Sequence, residues 1–555
     1  RLSQNIRSET QVAFTSPFAN EDHQLSGAIT WVVEENNWEA MTTVGSKIPS
    51  VDIQDPAVDA QLAWIGSYEG TTRSMRNVNT VNYKYLDRYL IQTVLTMDAH
   101  SSFGPQSRWG SFYGLMLGWR FSNEPWMESL TWLGESMIRG GIGTSGRRPD
   151  DVYARFATYE TTGSGSYITN PAVGPTSLQL NNLSWETITS YDVGVELNLF
   201  DDRAYVEGNL YQNITTDILF GEPASQPWRW YKIPYSSGYQ GLQYLNAGQL
   251  SNRGWELMAD VKIVRNRDWL WSVNLNASQN INAFDELPEN FNTEEDVTIG
   301  NGQYPKKVIE GEPIGSFFGF RYLGVWASDE DVVARDVDGN VIVDGEGRPI
   351  PLRYTDTYTF KGGDPKYEDI NHDGKIDLND VVYIGDSNPL FIGGFGSNLR
   401  YNNWNFSVAF HYRLGFDIVN GIALETEAMN NRDNQSKAVL RRWRKQGQDF
   451  DNMLPKAYMN HPANNLGSDR YVEPGDYLRV NNVKLSYRFS NELNQKLGIR
   501  KANIAFSARK LYTFTNYSGQ DPEVGQNAND PFWVGVDEAR TPPPMIFTIT
   551  LGVGI

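Results

Sequence analysis

The 555-residue chain contains no cysteine, which excludes a disulfide framework and any thiolate metal site and leaves the redox state of its compartment unmarked. No apolar run reaches the roughly 18 residues that a helical membrane span needs, and the mean hydropathy is −0.49. That exclusion does not reach β-barrels, whose strands alternate apolar and polar residues and read as hydrophilic on average. Positive charge is in short supply: 48 Lys and Arg face 67 Asp and Glu, for a net charge of −19. Nucleic acid and anionic headgroups are therefore poor candidates for the main partner. Histidine is scarce too, with His23, His100, His372, His411 and His461 scattered along the chain. No HExxH or GxSxG spacing occurs, so nothing in the sequence points to an enzyme. The first residues, RLSQNIRSETQVAF, carry no signal peptide or other targeting segment and read as a chain that begins inside a structure.

What is present is aromatic and glycine-rich: 17 Trp, 29 Tyr and 50 Gly. A large β-protein with aromatic girdles needs that mixture. The dominant pattern has period two. In YDVGVELNLF, Tyr191, Val193, Val195, Leu197 and Leu199 share one face and Asp192, Gly194, Glu196 and Asn198 the other. WNFSVAFHYRL repeats it, with Trp404, Phe406, Val408, Phe410, Tyr412 and Leu414 opposite Asn405, Ser407, His411 and Arg413. A soluble sandwich would also alternate, and alternation alone does not choose. Three details favour an all-β transmembrane antiparallel barrel. The strands are long, charged residues stand in the middle of the polar faces, and aromatics such as Trp255, Trp269, Trp404 and Phe489 are expected at strand ends. Short turns, at 200–204 and 401–404, alternate with connections of tens of residues. Roughly sixteen such segments are expected, from one near residue 8 to one near 545, including one near 316.

One stretch carries chemistry. In DINHDGKIDLND, Asp369, Asn371, Asp373, Asp377 and Asp380 occupy positions 1, 3, 5, 9 and 12 of a loop with Gly374 at position 6. Hard cations want six to eight oxygens, and this spacing folds the side chains and the Lys375 carbonyl round one point. The pattern predicts a structural calcium loop, with an ion-free acidic turn as the alternative. A sensor role does not follow, because the next segment heads toward a strand instead of a second helix. The second acidic stretch, DVDGNVIVDGEG (336–347), is expected to be a hairpin with an Asp-Gly turn. The basic run KAVLRRWRKQG (437–447) is expected to be a solvated loop helix. Trp228, Trp230 and Tyr231, in SQPWRWYKIPYSSGYQG, are candidates for stacking on sugar rings, weighed against a merely ordered outer loop.

Several longer pieces together resemble the SusC/RagA-type TonB-dependent transporters of the outer membrane of Bacteroidetes-type bacteria. They are YKYLDRYLIQTVLTMDAHSSFGPQSRWGSFYGLMLGWRFSNEPWM, WLGESMIRGGIGTSG, LSWETITSYDVGVEL, EGEPIGSFFGFRYLGVW, YEDINHDGKIDLNDVVYIGDSNPLFIGGFGSNLRYNNWNFSVAFHY, YVEPGDYLRVNNVKLSYRF and SARKLYTFTNYSGQDPEV. The likeness covers about residues 80 to 555. Two departures are that the chain ends in Ile555 where Phe is commoner, and that Lys510 stands where the family usually has Asn.

The resemblance implies that residues 1–555 are the C-terminal part of a barrel of about 22 strands, with the plug and N-terminal domains absent from this sequence. It implies active import of oligosaccharides or oligopeptides across the outer membrane. A SusD-like surface lipoprotein would act as lid, and TonB would act through the absent N-terminal part. Residues 327–389 would form a long extracellular loop stiffened by the calcium site. The alternative is a barrel of this family that serves as a scaffold for other outer-membrane proteins without transport.

Overall fold

The structure, a computed structural model, describes residues 2–16, 22–46, 61–157, 159–167, 170–175, 179–220, 245–287, 300–305, 307–523 and 534–554. Fifteen strands form one antiparallel sheet in which every strand pairs with its neighbours in chain order. They are β1 (Leu2–Thr15), β2 (His23–Ser46), β3 (Gln61–Tyr85), β4 (Tyr89–His100), β5 (Trp109–Trp119), β6 (Met137–Arg147), β7 (Glu186–Leu199) and β8 (Ala204–Phe220). Then follow β9 (Leu245–Arg265), β10 (Trp269–Glu286), β11 (Phe391–Tyr401), β12 (Trp404–Leu414), β13 (Tyr477–Arg488), β14 (Lys501–Thr515) and β15 (Ile546–Gly554).

Every expected segment but one has its strand in this sheet. The exception is the segment near 316: Ser316–Gly319 pairs with Val382–Asp386 in a small separate ladder. Its physical reason is that Phe317 and Phe318, neighbours on opposite faces, are both buried, so this segment has no wet face to turn to a lumen.

Register keeps the two faces apart. Val193 of β7 pairs with Leu210 of β8, and both are more than half exposed, at 57% and 62%. Asn209 of β8 pairs with Glu256 of β9 on the other face. An outward row of exposed Val and Leu is costly in water and favourable in hydrocarbon. The connections sort as expected with one exception, residues 120–136, which make a longer connection at the tight-turn end. Leu86 to Arg88, Phe200 to Arg203 and Asn402 to Asn403 turn tightly at one end, with Leu86, Asp87, Phe200, Asp201, Asp202 and Asn402 at positive φ. Residues 148–185, 287–390, 415–476 and 516–545 make long connections at the other.

Aromatic pairs mark the tight-turn end: Trp269 against Tyr401 at 4.2 Å, and Trp404 against Tyr487 at 4.7 Å. Trp255 departs from the expected strand-end position, since β9 runs on past it to Leu245. It packs at 6.2 Å from Phe391, the first residue of β11, and so stands level with the far end of a short strand. That defines a second aromatic band, above which the longer strands continue. β2 and β3, with 24 and 25 residues, are over twice the roughly 9–11 residues that cross a bilayer.

The main buried cluster lies outside the sheet. Phe318, Phe320, Trp326, Leu352, Phe360, Tyr367, Ile376, Ala463 and Leu466 belong to one cluster built from two long connections, 287–390 and 415–476. A strand with lipid on one side and water on the other has no dry interior to offer, so the loops supply one among themselves.

Among the described residues, two inside sheet strands take positive φ without being glycine, Asp217 at 54° in β8 and Lys510 in β14. Lys510 has φ 52° beside a register shift between β13 and β14 at Val480 and Asn482. A left-handed backbone costs a residue with a Cβ about 1–2 kcal/mol, and Asn tolerates it best after Gly. Lys510→Asn is therefore expected to stabilise the barrel by up to about 1 kcal/mol, read as a raised urea midpoint. A lowered midpoint would show that the Lys510 side chain contributes more than its backbone costs.

Candidate functional site

The polar face of the sheet carries the first candidate. Alternation puts Arg139 of β6, Glu196 of β7 and Glu207 and Asn209 of β8 on the same side. Arg139 then bridges Glu196 at 3.1 Å, Glu207 at 2.6 Å and Asn209 at 2.9 Å. Tyr211 donates to Asn280 at 3.0 Å, and Asn280 to Asn252 at 3.3 Å. Arg139, Asn209, Tyr211, Asn252 and Asn280, together with Asp192, Asn213 and Glu256, line an open basin of roughly 660 Å³. Amide-rich walls offer donors and acceptors in equal measure, which suits neutral, hydroxyl- or amide-bearing solutes.

The second candidate is the acidic loop at the edge of the loop core, where Ile376 is fully buried. Gly374 takes φ 83°, the conformation a sharp turn requires at that position. Asp369 accepts from the amides of Gly374 at 2.9 Å and Asp373 at 3.2 Å. Asp380, completely buried, accepts from the amides of Ile370 and Asp377, each at 2.8 Å. Asp373 accepts from Lys375, and Asp377 caps the turn through Asn379. The Lys375 ammonium points away, to Asp356 at 2.8 Å.

Burial, opposed by those amides and aided by the Asp369 charge, pushes the Asp380 carboxyl up to about 6. Burial and the Asp373 charge likewise raise Asp369. A buried and a half-buried carboxylate that repel along the loop without a cationic side chain suit a hard divalent cation by donor type and charge. Yet among the described residues no three acidic or imidazole side chains gather round one point. The set of donors fits calcium, while the carboxylates rest on amides.

The other sequence candidates fall as follows. Residues 336–347 form two successive turns, one on Asp336, which accepts from the amides of Asp338 and Asn340, and one on Asp344, which accepts from Glu346 and Arg348. The expected hairpin is thus a double one. The run 437–447 contains a single 3-10 turn, Lys437–Arg441, capped by Ser436. Trp228, Trp230 and Tyr231 lie outside the described residues.

Sequence reasoning missed the anchor of the loop core. Asp364 is completely buried. It takes Lys456 and His461 at 2.9 Å each on Oδ1, and Tyr358 at 2.9 Å and the Lys361 amide at 2.7 Å on Oδ2. Burial opposes its charge, but the bonds and charges of His461 and Lys456 hold it below the usual carboxylate range. His461 accepts from the Ala463 amide on Nδ1, so its hydrogen sits on Nε2, facing Asp364. Nothing in the spacing of these residues could have found the pairing.

Comparison with known proteins bears on the sheet as a whole. The family description "TonB dependent receptor-like, beta-barrel" matches residues 7–420. A "TonB-dependent receptor P39" from Formosa agariphila is 29% identical over 518 residues, 87% of this chain and 46% of that protein. The "TonB-dependent receptor SusC" of Bacteroides thetaiotaomicron is 23% identical over 524 residues, covering 90% of this chain and 45% of its own length. The chain thus spans about half the length of the curated relatives it matches. Among solved structures, the RagAB peptide transporter superposes with a TM-score of 0.77 at 19% identity, over 100% of this chain and 55% of that one. At that identity the likeness is one of fold.

Proposed function

The chain belongs to the family of TonB dependent receptor-like β-barrels, proteins of the outer membrane, and from that premise we propose that it is the wall of a SusC-type importer of oligosaccharides or oligopeptides. The observation that carries this reading is the two-faced sheet, apolar at Val193 and Leu210 and hydrogen-bonding at Arg139, Asn209 and Asn280. Fifteen is an odd number, so β1 and β15 run the same way and cannot close an antiparallel barrel on each other. Open edges are untenable in hydrocarbon, and we assign the strands that complete them to the rest of a barrel of about 22. A SusD-like lipoprotein would cap the long-loop end, TonB would act through a part other than these strands, and no catalysis is assigned.

Deleting the gene is expected to abolish growth on one class of oligosaccharide or peptide, and mild detergent is expected to extract the protein with its lipoprotein lid. Unchanged growth on every such source, with loss of other outer-membrane proteins instead, would favour a scaffold over an importer.

We further propose that the 369–380 loop holds one calcium ion through Asp369, Asn371, Asp373, the Lys375 carbonyl, Asp377 and Asp380, as a clamp on the connection 327–389 and not as a sensor. Chelation is expected to speed amide exchange across that connection while the barrel strands stay protected. Exchange there that ignores the chelator would remove the ion from the account.

A further inference from the structure

In a chain of net charge −19, three arginines at the long-loop rim lack a carboxylate partner among the described residues. Arg108 immediately precedes β5, Arg148 immediately follows β6, and Arg155 lies in the connection between β6 and β7. The acids beside them in sequence or register are engaged elsewhere. Asp98 holds Arg76 at 2.6 Å, Asp150 faces Arg147 at 3.7 Å, Asp151 accepts from the Tyr153 amide and Glu186 from the Leu219 amide. Among the described residues, no Asp or Glu forms an ion pair with any of the three arginines.

Their actual contacts leave donors over. The Arg108 Nε is buried without a hydrogen-bond partner. Arg155 donates its Nε to the Ser101 carbonyl at 3.0 Å and lays its guanidinium 3.9 Å from the Phe156 ring. The bond to Ser101, with the His100 amide on the Arg108 carbonyl at 3.4 Å, brings the two arginines to adjoining backbone, and burial and then the Arg108 charge lower the Arg155 pKa. Arg148 sets Nη1 against Nε2 of His100. The His100 Nδ1 already accepts from the Ser102 amide at 3.1 Å. A neutral imidazole has one lone pair, so Nε2 carries the hydrogen and offers Arg148 nothing to donate to.

The scaffold beneath is rigid: Trp185 donates to the Arg108 carbonyl at 3.3 Å and packs 4.3 Å from Phe103, which is fully buried.

We propose that Arg108, Arg148 and Arg155 form an oxyanion-binding site at the outer rim, which takes a sulfate or carboxylate group of a solute. Guanidinium forks match such groups with paired, charge-assisted hydrogen bonds. An anion would satisfy the orphan Arg108 Nε, relieve the repulsion between Arg108 and Arg155, and give Arg148 the acceptor His100 cannot be. A solute is favoured over a lipid headgroup because His100 shares its face with Gln92 and Asp98, away from the lipid-facing Ile91, Leu95 and Met97. The site stands on its own geometry and does not depend on what the barrel imports.

Calorimetric titration of the purified protein in neutral detergent tests it with inorganic sulfate, a sulfated hexasaccharide, a uronate hexasaccharide and neutral maltohexaose. At least one anionic sugar is expected to bind about tenfold or more tighter than the neutral one, more weakly as salt rises, and Arg148→Gln and Arg155→Gln are each expected to lose about tenfold. Which anionic sugar binds distinguishes sulfate from carboxylate. Arg148 is exposed, so its variant keeps the fold whatever becomes of Arg155. Equal binding of charged and neutral sugars, no binding of any anionic probe, or unchanged affinity in Arg148→Gln would each overturn the site. So would capture of the protein by anionic lipid vesicles through the same arginines with the sugars inert, since that would make the patch a membrane contact.

Discussion

Asp364→Ala is expected to loosen the loop core by about 3–5 kcal/mol while leaving the strands folded, because it strands a partly buried ammonium and a fully buried imidazole that were built around one carboxylate. Lys456 and His461 lose their partner at 2.9 Å, and Tyr358 loses its acceptor. The core they pin together joins residues 318–381 to Ala463 and Leu466, so amides on both connections should exchange together. Limited proteolysis and hydrogen exchange read this directly: cleavage within 427–466 should rise sharply, with no loss of the β-signal. If the strands melt along with the loops, the core is not an independent unit and the division of the fold into wall and cap is wrong.

The second large effect lies in the wall itself. Val193→Arg places a cation on the lipid face, where it costs about 2–4 kcal/mol near the bilayer midplane, whereas Asp192→Arg one residue away should cost less than about 1 kcal/mol because it faces the wet side. Val193 pairs with Leu210 among exposed apolar residues, and Asp192 lines the basin with Asn209 and Glu256. Urea titration of the two variants refolded into lipid vesicles compares them. Equal costs for both would mean that the two faces meet similar surroundings, which no barrel wall allows.

The wall was legible because its code is local. Tyr191 to Leu199 states both faces within ten residues, and the tight turns at 200–203 and 402–403 need only their own backbone. The misassigned segment at 316 shows where that code fails: in Ser316–Gly319, four residues with both phenylalanines buried, periodicity is too short to separate a loop ladder from a wall strand. Trp255 was legible as a girdle residue but not as an interior one, because the extension of β9 beyond the bilayer is set by the neighbouring long strands. The flag on Lys510 was legible only by resemblance, and the positive φ supplies its physical reason.

The cap was mostly hidden. Phe318, Leu352 and Leu466 meet across connections far apart in sequence, and no spacing rule brings Asp364 to His461. The acidic loop sits between these cases. Its donors follow a spacing that can be read directly, and the amides that Asp369 and Asp380 accept from follow from the turn at Gly374.

The absence of cysteine makes the decisive measurement simple. Single cysteines placed one at a time from Tyr191 to Leu199, in protein reconstituted into lipid vesicles, report through an attached spin label whether each site meets lipid-soluble oxygen or a water-soluble relaxant. The account predicts strict alternation, with lipid contact at 191, 193, 195, 197 and 199 and water contact at 192, 194, 196 and 198. Sites on the apolar face that meet neither probe would place them in a dry protein interior and contradict the membrane wall.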